Sequence, residues 1–140
     1  RATGDWAEGV IDDVLGMQRD LTDQYRAATR AFCEAMWQGD APPEELDWVV
    51  SESLKTPQYA ALLMTADGMT RDETDLAIAT DGAVPMLHVV HEDKGLAAQA
   101  FADRHCPSAK VVPLGYHFMF WEFADRFNAV VDSFLKEHKL

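Results

Sequence analysis

At 140 residues with 48% apolar side chains, the chain has the length of one domain and enough apolar material for a packed core. A formal net charge of −12 argues against a surface for nucleic acid or anionic membrane, and reads as a solvated acidic exterior. No apolar run approaches the roughly 18 residues of a membrane span, and the opening residues do not read as a signal peptide.

The chain opens on Arg1, directly in a helix-like stretch, which suggests a processed, cleaved or excerpted chain. Asp5 is positioned to cap a helix whose Trp6, Val10, Ile11, Val14 and Leu15 make one apolar stripe. After Gly16, Asp20 is expected to cap a second helix with Leu21, Tyr25, Ala28, Phe32 and Met36 on its inner face, closing near Trp37 and Gly39. Pro42 and Pro43 open a third, carrying Leu46, Val49, Val50 and Leu54. Thr56-Pro57 predicts a fourth start and Asp67-Gly68 its end, and Thr70 with Glu73 matches a capping box for a short helix to about Ala79.

The second half changes character. Pro85 to Val90 has strand composition, Gly95 to His105 a helical face, and Ala109 to Pro113 strand composition again. Phe123, Phe127, Val130, Val131 and Phe134 then stripe a last amphipathic helix ending near His138. Strand, helix, strand, helix is a βαβα order, so the fold class expected is α/β. A βαβ crossover makes its strands parallel, and parallel sheets are covered on both faces. Two short strands alone expose two hydrogen-bonding edges, so other strands must be supplied.

The segment from Pro85 to His138 resembles the last two core strands and last helix of the α/β-hydrolase fold. The likeness rests on Val84-Pro-Met-Leu-His-Val-Val, Cys106-Pro-Ser-Ala-Lys-Val-Val, Gly115-Tyr-His117-Phe-Met-Phe-Trp-Glu122 and Phe134-Leu135. It implies two regions, 1–80 as the helical cap and 81–140 as the C-terminal part of the hydrolase core. It also implies that the sheet is completed by an N-terminal portion not in this chain, as a second chain or fragment. That portion is expected to carry the nucleophile elbow, because Ser51, Ser53, Ser108 and Ser133 all lack the flanking glycines.

The resemblance makes His117 the catalytic histidine, in a loop after a strand, where an imidazole accepts a proton near neutral pH and returns it. Phe118 and Met119, with Trp37 from the cap, are expected to line an apolar substrate pocket, and Trp48 and Met64 are further cap candidates. The acid that orients the histidine is displaced. The family position falls on Lys94, the usual loop Gly is His91, and Asp93 stands one place early. Either Asp93 serves, or the acid follows the sixth strand in the missing portion, as in haloalkane dehalogenases and cofactor-independent dioxygenases of this fold.

His88, His91, Glu92 and Asp93 also invite a metal reading, but three positions apart on a strand puts the two histidines on opposite faces. No metal or cofactor is expected. Cys33 and Cys106 cannot build a disulfide framework and read as buried thiols in a reducing compartment, which points to the cytoplasm.

The function expected is a hydrolase of a small, largely apolar substrate of the ester, lactone, epoxide or haloalkane class, with no nucleic-acid or membrane partner. The alternatives are a cofactor-independent dioxygenase using His117 as base, and a hydrolase-like binding protein without a nucleophile.

Overall fold

The computed structural model describes residues 5–139, with side-chain environments for 12–68 and 71–139. The inward stripe expected for Trp6, Val10 and Ile11 lies outside the described side chains. Contacts divide the chain into two compact units, one of residues 1–35 and 39–72, the other of 36–38 and 73–140.

The first unit is helical. α1 spans Asp5–Asp23, α2 Tyr25–Glu34, α3 Pro43–Ser53 and α4 Gln58–Thr70. The break expected after Gly16 does not occur, and Asp20 caps nothing, because it lies inside α1. Gly16 has open space where a Cβ would stand. An interior glycine costs about 0.5–1 kcal/mol, whereas burying Val14 and Leu21 on one stripe contributes about 1.5–3 kcal/mol each. Both are buried. The chain breaks instead at Gln24, with φ −138° and ψ 48°.

α4 likewise runs past Gly68 to Thr70, so Thr70 belongs to its last turn and not to a capping box. Two glutamines tie α1 to α4: Gln18 Nε2 donates to Leu62 O at 3.0 Å, and Gln58 Nε2 donates to Leu21 O at 2.7 Å. The Tyr25 hydroxyl donates to Thr56 O at 2.6 Å, and Pro57, not a capping Thr56 hydroxyl, stands at the N-cap of α4. Cys33, Leu46 and Val50 form the buried centre, joined by Val49 and Leu54 as the α3 stripe predicts.

The second unit holds α5 (Thr74–Thr80), β1 (Leu87–Val90), a 3-10 turn (Glu92–Lys94), α6 (Gly95–His105), β2 (Lys110–Pro113), α7 (Met119–Glu122) and α8 (Ala124–His138). Helix dominates the chain, and the expected βαβα order is present around a small parallel sheet. β1 and β2 pair in register from Leu87 opposite Lys110 to Val90 opposite Pro113. That ladder is extended by Lys110 N donating to Met86 O and Leu114 N to Val90 O, both at 2.9 Å.

The register decides which backbone groups face outward. Met86, His88 and Val90 bond towards β2, so Leu87 and Val89 turn their N–H and C=O groups to the other edge. On β2 the outward positions are Val111 and Pro113, and Pro113 has no N–H to offer. α6 crosses between the strands closely enough that a Cβ on Gly95 would stand 2.6 Å from Pro113 Cγ. Ala102, Cys106 and Leu114 are almost fully buried here.

At the amino ends of the strands, Asp81 closes a clasp. Its Oδ1 accepts from Ser108 N at 2.9 Å and from the Ser108 hydroxyl at 2.5 Å, while Gly82 N donates to that hydroxyl at 2.9 Å. Both cysteines are buried and unbridged. No helix among the described residues is long and apolar enough to cross a membrane.

Candidate active site

The carboxyl ends of β1 and β2 are joined by their following loops. Beyond Val90, the Glu92 amide donates to Gly115 O at 3.0 Å, so the 3-10 turn and the loop after β2 are held together. Leu114 is buried at the end of β2, and Gly115 turns the chain with φ +55°. Any side chain at this position is strained. Its φ is in the left-handed region, and a Cβ would stand 2.6 Å from Cδ2 and Cε2 of Phe123.

The turn delivers Tyr116 and His117 to one spot beside His91. The Tyr116 ring stacks on His91 with centroids 4.5 Å apart and planes 26° apart. His117 meets His91 edge to face, centroids 4.1 Å apart and planes at 80°. His117 is exposed to solvent on its outer side. Partial burial on the inner side lowers its pKa below the ordinary histidine value, and the neighbouring His91 lowers it further.

Asp93 faces His91, with Oδ1 3.7 Å from His91 Nδ1, and Lys94 Nζ lies 3.7 Å from its other oxygen. At that length the Asp93–His91 contact is an ion pair when the imidazole is protonated, not a hydrogen bond. Among the described residues no carboxylate comes within ion-pair range of His117. His88 lies within β1, and no set of three or more potential metal ligands gathers among the described residues.

Of the other expected site residues, Trp37 and Phe118 pack against one another. Phe118 is the residue before α7 and is half-buried; Met119 is buried. Trp37 is buried against Phe118 and Trp121, with centroids 5.0 Å and 5.4 Å away. The Gln38 amide donates to both carboxylate oxygens of Glu122, at 3.0 and 3.3 Å, which fastens the 36–38 segment to α7. The indole Nε1 of Trp37 is buried with no hydrogen-bond partner.

Compared with family models, curated proteins and solved structures, the chain matches none of them.

His91 and Tyr116 were not among the expected site residues. The signal for His91 was its place where the resemblance expects glycine, which demanded a reason for a bulky polar ring there. A separate cavity of about 220 Å³ lies in the first unit, lined by Met17, Leu21, Tyr25, Phe32 and Met64 among others. It contains neither His117 nor Trp37. Trp48 and Met64 belong to that first unit, where both side chains are largely exposed.

Chemically, the histidine pair can take and return one proton at a solvent-facing imidazole whose neutral form is favoured. Phe118, half-buried, and Met119, buried, follow it directly in the chain.

Proposed function

We propose that this chain is the base-bearing C-terminal part of an α/β-hydrolase-type hydrolase acting on a small, largely apolar substrate. The observation that carries this reading is the position of His117. It is an exposed imidazole on a glycine-turned loop at the carboxyl end of a parallel strand, the edge where open α/β sheets bind ligands. A base is useful only when unprotonated, and its surroundings favour that form.

In this proposal a nucleophile on a partner segment attacks an ester, lactone, epoxide or haloalkane. His117 takes the proton from that nucleophile or from the hydrolytic water. The partner segment also supplies the missing strands. The outward Leu87 and Val89 groups of β1 favour that edge for the addition, because Pro113 leaves β2 a poorer template.

A second reading is supported by the aromatic run Phe118, Phe120 and Trp121 that follows His117. In a cofactor-independent dioxygenase the base removes the proton of an aromatic hydroxyl substrate, and no covalent intermediate is required.

The test uses the protein assembled with its partner segment, assayed on p-nitrophenyl esters, lactones, epoxides and haloalkanes. His117→Ala is expected to lower turnover by at least about 100-fold. Near-normal turnover in that variant overturns the assignment. Oxygen uptake with an aromatic hydroxyl substrate, in place of hydrolysis, selects the second reading.

A further inference from the structure

In an imidazole–carboxylate pair the acid fixes the tautomer and the ring orientation. Here the carboxylate is one ring removed from the exposed histidine. Asp93 faces His91 and His91 faces His117, and the two loops that carry them are locked by the Glu92 amide on Gly115 O.

We propose that His91 is a positioning residue for His117: stacked on the Tyr116 ring and fixed at the start of the 3-10 turn beside Asp93, it holds the His117 imidazole edge to face. This rests on reading His117 as the base, and adds the residue that orients and regulates it.

The geometry assigns each neighbour a part. Tyr116 covers one side of the His91 ring, so the ring cannot swing that way without losing its stack. Asp93 Oδ1 stands 3.7 Å from His91 Nδ1 on one side, and Lys94 Nζ stands 3.7 Å from the other Asp93 oxygen. Glu92 is exposed and contributes its backbone amide to the loop lock. The charged neighbours given by the 3-10 turn are therefore Glu92, Asp93 and Lys94, and the loop after β2 contributes Tyr116 and His117. Two imidazoles at 4.1 Å between centroids do not both carry a proton without mutual repulsion. A proton on His91 therefore weakens proton binding at His117.

Turnover is not needed for the test. Histidine side chains of the full chain are isotope-labelled and titrated by NMR, and the His117 signal is identified by its loss in His117→Gln. In the unaltered protein, cross-relaxation between the ring protons of His91 and His117 is expected, and its absence overturns the proposal. His91→Gln and His91→Phe should each raise the His117 midpoint towards that of an exposed histidine. The phenylalanine variant retains a ring against Tyr116, so a rise there reports the lost charge and not lost packing. An unmoved midpoint in either variant, with the near-UV circular dichroism retained, overturns the proposal while leaving the hydrolase reading standing. Full turnover in His117→Ala sinks the hydrolase reading and leaves the His91–His117 coupling measurable.

Discussion

The imidazoles of His91 and His117 meet edge to face with centroids 4.1 Å apart, although 26 positions separate them in the chain (117 − 91). The contact has a consequence for pH. The folded-state pKa of His117 lies below its unfolded value because of burial first and His91 second. For such a group the unfolded chain binds the proton more readily. The His117 contribution to stability is therefore complete above the unfolded value and is lost as pH falls through the lowered folded one. Urea unfolding of the protein and of His117→Gln from about pH 7.5 down to about pH 5 checks the sign. The stability advantage of the histidine protein should shrink on acidification, and an advantage that grows refutes the account.

Gly115→Ala should disturb the same site from behind. The substitution adds a Cβ 2.6 Å from the Phe123 ring at a residue with φ +55°. Overpacking costs about 1–3 kcal/mol, and left-handed backbone in a non-glycine residue adds about 1 kcal/mol or more. A loss of about 2–4 kcal/mol in urea unfolding is expected, together with a displaced His117 NMR signal. Stability within about 0.5 kcal/mol of the parent contradicts the close approach.

Much of this arrangement was legible in the residues, and the failures have physical causes. The βαβα order, the α3 stripe of Leu46 and Val50, and the α8 stripe ending on buried Phe134 follow from apolar periodicity. Gly16 misled because a local helix penalty of about 1 kcal/mol is visible in sequence, whereas the burial of Val14 and Leu21 that outweighs it depends on distant residues. Thr70 and Glu73 match a capping box in spacing alone, but α5 begins at Thr74 with no side-chain cap. The His91–His117 contact was hidden for another reason. The strand pattern put His91 and His88 on opposite faces, but β1 ends at Val90 and His91 already precedes the 3-10 turn.

Trp37 provides a separate test of packing against hydrogen bonding. Its indole is buried, yet Nε1 has no acceptor. An unsatisfied buried donor costs about 1–3 kcal/mol, which the smaller apolar ring of Trp37→Phe removes while losing some contact with Phe118 and Trp121. The two effects offset, so Trp37→Phe should leave stability within about 1 kcal/mol of the parent. Trp37→Ala leaves a cavity and should cost about 3–5 kcal/mol. Equal losses for the two variants in chemical denaturation would show that the indole N–H has a partner.

The Asp81–Ser108 clasp lies at the amino ends of β1 and β2, opposite the ends that carry His91 and His117. Asp81→Ala removes the acceptor of both the Ser108 amide and the Ser108 hydroxyl. Water reaches Ser108, which discounts the loss, so the expected cost is about 1 kcal/mol. Asp81→Asn keeps an acceptor in place and should recover part of it. Distance makes the sharper prediction: the NMR titration midpoint of His117 should be the same in Asp81→Ala as in the parent, while His91→Gln moves it. A shifted midpoint in Asp81→Ala would mean that the strand ends are coupled through the sheet, and that His91 is not the local determinant of the His117 proton.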